Sequence, residues 1–447
     1  MILFVSTLSP KEGDLEFFDR FEKLLNHEPV VYWGGSIPGD RESRKFPLPW
    51  TLADLPRTSY IKRRREFKGV NAEWKKKYSQ RLDLMAGQNI QRCLSQETID
   101  NLIKVSIFLL TTLRPRLLIA HNPLIPHTGI PFDLAKILGI HTLTIERGPL
   151  PSTIWLDKNG YGGWSQYCGT TLEMMFPTDD HSELELFGSE CMKSDHAIHT
   201  PRGATIASQS PSKEPLPIPT SHHRILVVGM ADVNTAIFPS EHSDKLVNSP
   251  HFKSSAGLAL EVAKCSVGTV VFKPHPNCYH MSDMSALMAA GVFVSGKDIT
   301  ELLDWADIVI TNGSSLEFQA LAMNKPLVLA GRTVVTGKGI AYEVSDNLGL
   351  KEAIASAIKR EDEQLRTKRF KILIGGLIKY HFIDSFASTW PQRSLKQFSG
   401  GPRSLGKTFM DYIRILKAKH YWRNESFPKT IIRHIRSIKN SSHQFKW

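Results

Sequence analysis

The first 150 residues alternate short apolar runs with stretches of helical periodicity. The apolar runs have the four- or five-residue length of buried strands and lie at 2–5, 30–33, 117–120 and 141–145. Amphipathic helical patterns separate them, at 14–25, 96–113 and 131–138. This alternation of strand and helix predicts a parallel sheet with helices on its faces.

A second alternation begins after residue 223. Its predicted strands lie at 225–228, 269–272, 292–294, 308–310 and 327–329. Its predicted helices lie at 256–263, 284–290, 300–305, 315–323 and 351–359. A stretch rich in Pro, Ser and Thr separates the two alternations and has the composition of a linker.

The predicted fold class is therefore α/β, with two Rossmann-like domains facing a cleft and a basic, helical C-terminal extension. The length of 447 residues suits two domains. The predicted divisions are an N-terminal domain, a linker, a C-terminal domain, closing helices and the extension, at 1–205, 206–222, 223–365, 366–390 and 391–447.

Composition favours a soluble cytoplasmic protein. Hydrophobic residues make up 41% and charged residues 22% of the chain, and no uncharged apolar run reaches the length of a membrane span. The apolar N-terminus lacks preceding basic residues and is interpreted as a strand rather than a signal peptide. Five scattered cysteines without a CxxC pair indicate a reducing compartment and argue against a zinc site.

The net charge of +12 is concentrated at the C-terminus. Residues 391–447 contain 13 Lys and Arg but only two acids, Asp411 and Glu425, so the rest of the chain is nearly neutral. Large apolar and aromatic side chains alternate with these bases, a pattern typical of segments that lie on anionic membranes. Nucleic-acid binding and a merely solvated tail are alternatives; the membrane surface is the preferred partner, and no nucleic acid is expected.

The most informative motif is Lys273-Pro274-His275-Pro276 at the end of an apolar strand. The prolines restrict the backbone and hold His275 at the carboxyl end of the strand, where it can face a ligand. An imidazole there can donate a hydrogen bond or proton to a leaving phosphate. A capped loop histidine is the alternative.

A second motif, Asn312-Gly313-Ser314-Ser315, joins another strand to a helix. Backbone N–H groups and hydroxyls at a helix start are expected to bind an anion such as a phosphate. Capping of the helix by Ser314, with Glu317 completing a capping box, is a compatible alternative.

Three acids complete the candidate chemistry. Glu146, at the end of the strand 141–145, could accept a proton from an attacking hydroxyl, and Arg147 could pair with a phosphate or carboxylate. A surface salt bridge is the alternative for this pair. Asp157 has the pattern of a turn residue, and Asp232 follows the first strand of the second half, where it could overhang the cleft.

Together these segments resemble the capsule polysaccharide biosynthesis family, whose characterised members include retaining β-Kdo transferases that use CMP-Kdo. The resemblance covers most of residues 115–345. It is carried by Glu146-Arg147-Gly148 and the following 151–160, by Lys273 to Pro276, and by Ser314 to Pro326. The same three motifs occur in bacterial GT-B sialyltransferases, which also use a CMP-sugar.

The resemblance implies a GT-B glycosyltransferase of surface polysaccharide assembly, at the inner face of the cytoplasmic membrane. It implies that His275 assists departure of the cytidylate, that Ser314 and Ser315 bind its phosphate, and that Glu146 acts on the acceptor hydroxyl. The remaining candidates for nucleotide-sugar binding are Lys273, Pro276, Asn312, Gly313, Glu317 and Arg147. Neither a metal nor a cofactor is expected beyond the CMP-sugar, because no Asp-x-Asp motif is present.

The chain departs from the family at two places. A gapless alignment puts Asn234 at the position of the family's nucleophilic aspartate, and Asp232 takes that position only if the loop shifts. The segment 331–339 also differs. Alternatives are therefore a CDP-glycerol-type or sialyl transferase, or an inactive partner in polysaccharide assembly.

Overall fold

The computed structural model describes the following residues of the chain. They are 1–6, 30–34, 45–47, 76, 78, 96–148, 153–160, 162–193, 215–217, 223–232, 235, 237, 245–265, 268–275, 284–345 and 349–384.

The strands of these segments are numbered in chain order. They are β1 Ile2–Ser6, β2 Val30–Gly34, β3 Lys45–Pro47, β4 Leu117–His121, β5 His141–Arg147, β6 Thr153–Asp157, β7 Arg224–Val228, β8 Thr269–Lys273, β9 Phe293–Val294, β10 Ile308–Thr311, β11 Leu327–Leu329, β12 Tyr342–Glu343 and β13 Phe382–Asp384.

The helices are numbered in the same way. They are α1 Gln96–Leu113, α2 Pro126–Ile137, α3 Leu172–Met175, α4 His181–Lys193, α5 Lys245–Asn248, α6 Ser255–Lys264, α7 Met284–Ala289, α8 Ile299–Trp305, α9 Glu317–Ala322, α10 Leu350–Lys359 and α11 Glu363–Tyr380.

The first sheet has the order β13-β6-β5-β4-β1-β2-β3. Its strands from β5 to β3 pair in parallel, whereas β6 is antiparallel to β5 and to β13. The side chains of Leu3, Val5, Val31 and Trp33 are fully buried in one core with α1 and α2. Burial of such residues on a parallel sheet explains their continuous apolar runs.

The second sheet has the order β12-β11-β10-β7-β8-β9, and its strands are parallel throughout. β7 lies at the centre between β8 and β10, so the three carboxyl ends meet at one edge. Hydrophobic clusters cover both faces of this sheet. The predicted α/β class with two Rossmann-like halves is confirmed.

The halves exchange segments at their ends. β13, near the end of the described chain, pairs with β6 of the first sheet. In the other direction, Leu172, Phe176 and Leu184 pack into the apolar core of the second sheet with Leu377 of α11. The predicted domain boundaries stay predictions, since 194–214 lie outside the described residues.

Most predicted elements agree with the structure to within one or two residues, but two differ in a way that matters for the site. α2 begins at Pro126 rather than Pro131, because Pro126 occupies the first turn, where a missing N–H is tolerated. β5 continues to Arg147 because its last residues pair with β6, with Glu146 opposite Trp155. Glu146 and Arg147 therefore lie within a strand and not in a turn.

Several predictions lie outside the described residues. They concern the helix at 14–25, most of the linker, the extension 391–447, Pro276, Asn234 and the side chain of Arg147. Among the residues that are described, no helix has the length and apolarity needed to cross a membrane. In the same segments, no group of three or more His, Cys, Asp or Glu side chains is arranged to hold a metal ion.

Candidate active site

The two predicted phosphate-binding motifs lie at the same edge of the second sheet. His275 follows β8 and Ser314 follows β10, on either side of the loop that continues from β7. A Cβ built on Gly229 of this loop would lie 3.2 Å from the backbone nitrogen of His275. The next residue, Met230, approaches Gly313 from the other side, with its sulfur 3.4 Å from a Cβ built there. Both motifs therefore contact one short loop.

His275 is half-buried and uncharged at neutral pH. Burial, reinforced by the positive charge of Lys273, lowers its pKa to about 4. A neutral imidazole can donate one hydrogen bond to a phosphate oxygen, depending on its tautomer. A bound phosphate would supply the negative charge that favours the protonated form.

The ammonium group of Lys273 is bonded to a neighbouring loop. Its Nζ donates a hydrogen bond to the carbonyl of Lys297, in the loop between β9 and α8. Burial lowers the pKa of Lys273. The positive charge of Lys273 therefore affects the pKa of His275, while its ammonium group is hydrogen-bonded to a neighbouring loop.

The turn after β10 is organised by its own hydrogen bonds. Thr311 Oγ1 accepts from the backbone N–H groups of Gly313 and Ser314, and Ser314 accepts from Leu316 and Glu317. Two of the backbone donors predicted to converge on an anion, those of Gly313 and Ser314, thus have partners within the turn. The turn also carries the hydroxyls of Ser314 and Ser315.

The predicted capping box is wrong. The residue that precedes α9 is Leu316, which has no side-chain cap, and Glu317 is the first residue of the helix. The Glu317 carboxylate reaches forward to a different partner, since its Oε2 accepts a hydrogen bond of 3.1 Å from Thr333 Oγ1.

Asp232 and Asn312 belong to a buried network behind this turn. The Asp232 carboxylate accepts from the N–H of Ser255 at 2.8 Å and from the Ser255 hydroxyl at 2.5 Å. Ser255 Oγ also lies 3.2 Å from Asn312 Oδ1 and accepts from the N–H of Met230. Burial raises the pKa of Asp232 to about 6, against the opposing effect of the Ser255 bonds. The network joins the loops after β7 and β10 to the start of α6.

An open cavity lies between the two halves. The first sheet contributes Glu146, Trp155 and Asp157, and the turn after β10 contributes Ser315 and Glu317. The remaining lining residues are Thr144, Gly160, Gly162, Ser165, Gly313, Phe318, Thr333 and Val334. Candidate residues from both halves therefore meet in one cavity at the ends of parallel strands, where ligands bind in open α/β sheets.

Glu146 enters this cavity beside a histidine. Its Oε1 lies 3.3 Å from Nε2 of His121, the last residue of the neighbouring strand β4. The side chains are 27% and 14% exposed respectively, so Glu146 is the more accessible of the two. An acid at this position can take a proton from a hydroxyl bound in the cavity.

Asp157 is a turn residue, as predicted, and also a cavity residue. Its carboxylate accepts from the N–H groups of Asn159 and Gly160 and from the Ser165 hydroxyl, at 2.8, 3.2 and 2.6 Å. Burial raises its pKa against these bonds. The carboxylate shapes the loop at one end of the cavity.

Glu317 faces the cavity with an uncharged carboxyl group at neutral pH. It is 3% exposed, and burial raises its pKa to about 8, despite the Thr333 hydrogen bond and the positive charge of Lys338. A protonated carboxyl can donate a hydrogen bond as well as accept one, which suits recognition of a hydroxyl.

Two sets of hydrogen bonds join residues 162–170 to the second half. Lys338 Nζ donates to the carbonyls of Tyr167 and Thr170 at 2.7 and 2.9 Å. The N–H of Gly163 donates to Asn248 Oδ1 at 2.8 Å. Burial lowers the pKa of Lys338 to about 8. The segment 331–339, altered relative to the family pattern, thus forms part of the junction.

The structure brings some of the predicted residues together and separates others. Glu146, Gly313, Ser315 and Glu317 line the cavity, and Ser314 lies within the same turn. His275 and Lys273 lie on the other side of the β7 loop and do not line it. Asn312 and Asp232 are buried behind the turn.

Sequence reasoning missed His121, Trp155 and Thr333. A histidine that directly follows an apolar strand, parallel to the strand of Glu146, was a usable signal for His121. Trp155 and Thr333 carried no comparable signal, because their position depends on the antiparallel pairing of β6 with β5 and on the junction between the halves.

No family model matches the chain, and no curated protein matches it. Solved structures do. The chain is similar to the β-Kdo 2,7 transferase of KpsC from Thermosulfurimonas dismutans, with 11% identity, a TM-score of 0.42 and coverage of 89% of this chain and 99% of that one. It is similar to the β-Kdo 2,4 transferase of the same KpsC, at 13% identity and a TM-score of 0.33, over 57% of this chain and 78% of that one.

It is also similar to a UDP-GlcNAc 2-epimerase from Neisseria meningitidis bound to UDP-GlcNAc. There the identity is 14% and the TM-score 0.32, over 85% of this chain and 100% of the epimerase chain.

Proposed function

We propose that this chain is a glycosyltransferase that moves a sugar from a nucleotide-activated donor to a saccharide or glycolipid acceptor. The observation that carries the proposal is the shared cavity, in which Glu146 of the first half faces Ser315 and Glu317 of the second. A base and a hydroxyl-rich turn on opposite walls suit a reaction between two substrates held side by side.

The second half supplies the nucleotide site in this proposal. In this proposal the phosphate lies over the β7 loop at the rim of the cavity. The hydroxyls of Ser314 and Ser315 bind it from one side, and His275 donates a hydrogen bond to it from the other. The neutral state of His275 in the unliganded protein leaves a proton to be acquired when the phosphate binds. Stabilising the charge that develops on the leaving phosphate lowers the barrier to its departure.

The first half supplies the acceptor site. Glu146 takes the proton from the acceptor hydroxyl while that oxygen forms a bond to the anomeric carbon of the donor. The bond between that carbon and the phosphate oxygen breaks, and the electron pair leaves with the nucleotide. Asp232 has no direct part in this scheme, because both its oxygens are bonded to Ser255 in a buried network.

The donor we propose is a CMP-sugar, with Kdo or a related 2-keto acid sugar ahead of sialic acid, and the acceptor a growing surface polysaccharide or lipid. This rests on the motif resemblance and on a turn suited to one phosphate. Neither a metal nor a cofactor enters the proposal. The basic extension 391–447 would hold the protein on the anionic inner surface of the cytoplasmic membrane.

Titration of the full chain with CMP, CDP and UDP by calorimetry tests the proposal, followed by mass spectrometry of products from the corresponding CMP-sugars. We expect CMP to bind most tightly. His275→Ala should weaken CMP binding at least about tenfold, equivalent to about 1.4 kcal/mol, and abolish transfer.

His251→Ala is the matched control, since His251 is exposed in the same half. Full transfer activity in His275→Ala would remove the assignment of the phosphate site. Tighter binding of CDP would favour the CDP-glycerol type of transferase. Failure of the wild-type protein to bind any of the nucleotides would overturn the proposal and favour an inactive assembly partner.

A further inference from the structure

His121 and Glu146 form a pair that the motifs did not indicate. β4 and β5 are parallel neighbours, with His121 in register with Ile145, so Glu146 follows one residue beyond the aligned position. The contact of 3.3 Å between His121 Nε2 and Glu146 Oε1 joins the ends of two adjacent strands at the cavity. Both side chains are fixed to regular structure rather than to loops.

The other ring nitrogen of His121 fixes the direction of this hydrogen bond. Nδ1 is buried and has no hydrogen-bond partner in the described part of the chain. A proton on Nδ1 would leave a buried donor unpaired and would turn the Nε2 lone pair toward the oxygen of Glu146. The arrangement with the lower cost has the proton on Nε2, from which it is donated to Glu146.

We propose that His121 is a positioning residue for the catalytic base Glu146. By donating to Oε1 it holds the carboxylate in one orientation. This inference rests on the proposed function, in which Glu146 deprotonates the acceptor hydroxyl. His121 itself does not line the cavity, so it acts through Glu146 and not on the substrate.

A mainly structural histidine would have different properties. If His121 only fills space, an apolar side chain of similar size can replace it. If it positions Glu146, the replacement must carry an N–H donor where Nε2 lies. Leucine supplies the volume without the donor, and glutamine supplies an amide N–H at about that reach. These two variants therefore separate the roles.

The kinetic test measures CMP release from CMP-Kdo with the acceptor found by product analysis. We expect His121→Leu to lower kcat at least about tenfold, the scale at which general-base assistance is felt, with the donor KM within about twofold of wild type. His121→Gln should recover kcat to within about threefold of wild type. His141→Leu, at the exposed start of β5, is the control and should change nothing.

Equal losses of kcat in the Leu and Gln variants would overturn the proposal, as would no loss in either. Unfolding temperatures of all variants are measured alongside, so that a loss of folded protein is recognised. A wild-type protein that releases no CMP with any acceptor instead contradicts the proposed function.

A spectroscopic test of the pair does not depend on turnover. In the ¹⁵N-histidine-labelled full chain, long-range nitrogen–proton correlations identify the tautomer of each ring. We expect His121 to carry its proton on Nε2, and Glu146→Ala to shift its nitrogen resonances while leaving those of His141 unchanged. A proton on Nδ1, or resonances insensitive to Glu146→Ala, would overturn the positioning role even if the enzyme is active.

Discussion

Glu317 shows how a single buried carboxyl group links the cavity to the stability of the protein. Its pKa of about 8 in the folded state lies above the ordinary value of 4.5. A carboxyl whose pKa is raised by folding contributes most to stability below pH 4.5, and the contribution is lost as the pH rises toward 8. Burial of Glu317 therefore lowers the free energy of unfolding at neutral pH. The residue lies where a protonated carboxyl group can donate a hydrogen bond into the cavity.

Glu317→Gln should remove this cost, because glutamine is neutral at every pH and can still accept from Thr333. Relative to wild type, we expect the free energy of unfolding of the variant to rise between pH 5 and pH 8, by about 2–4 kcal/mol. Denaturant unfolding at several pH values measures it. Glu190→Gln, on the exposed face of α4, should track wild type at each pH. Parallel pH profiles for Glu317→Gln and wild type would contradict the prediction.

At the scale of single residues, the sequence placed Glu146, Ser315 and Glu317 near the cavity because each follows or ends a recognisable strand. It could not assign their partners. The hydrogen bonds of Glu317 to Thr333 and of Glu146 to His121 join residues 16 and 25 positions apart. Such pairs depend on strand register and on the packing of the halves, which local patterns do not encode.

At the scale of elements, α4 and α11 cross at closely packed glycines. A Cβ on Gly188 of α4 would lie 2.0 Å from the carbonyl oxygen of Lys371, and one on Gly375 of α11 would lie 2.1 Å from that of Leu184. Backbone therefore packs against backbone at this crossing. It attaches the segment that precedes the linker to the last long helix of the described chain.

Gly188→Ala should destabilise the protein by about 1–3 kcal/mol, because the added methyl group pushes the two helices apart. The direction of the change in stability distinguishes the two cases. Without this helix contact, alanine in place of glycine inside a helix would stabilise the protein by about 1 kcal/mol. Thermal unfolding measures the change. Leu186→Ala, at a position that is 68% exposed on the same helix, should stay within about 0.5 kcal/mol of wild type. An increase in stability for Gly188→Ala would show that the helices do not cross as described.

The elements that the sequence predicted well are those with strong periodicity, such as α1, whose bounds were predicted as 96–113. Those it missed are short edge strands and segments that cross between halves. β6 lies between β5 and β13 and is antiparallel to both, and β13 pairs only with β6, so neither strand belongs to the strand–helix alternation that predicts a parallel sheet. α4 is polar over much of its length and packs mainly on α11, a contact distant in sequence.

At the scale of the whole molecule, the cavity exists because the halves meet through short backbone contacts beside it. The N–H of Gly169 donates to the carbonyl of Thr336, and Lys338 donates to Tyr167 and Thr170. A reaction between substrates bound on two walls of a cavity requires that the distance between those walls stay constant to within a fraction of an ångström. The junction formed by 162–170 and 331–338 should therefore control substrate affinity from outside the cavity.

Gly337 tests this idea, because it lies at the junction and is not among the residues that line the cavity. Its φ of +82° is a conformation that favours glycine, and a Cβ there would lie 2.9 Å from the backbone of Gly169, in the segment that connects the two halves. Gly337→Ala combines a backbone cost of about 1–2 kcal/mol with a displacement of one half against the other. Gly291→Ala is the matched control, since its φ is +75° and nothing lies within 4 Å of its Cβ.

The positive φ should lower the stability of both alanine variants by comparable amounts. Only Gly337→Ala should also weaken nucleotide binding and transfer. We expect its CMP affinity to fall at least about fivefold by calorimetry, or about 1 kcal/mol. Gly291→Ala should bind CMP as wild type does. If the affinity for CMP falls equally in the two variants, or falls in neither, nucleotide binding by the second half does not depend on the position of the first half. The junction would then be a structural contact without influence on the cleft.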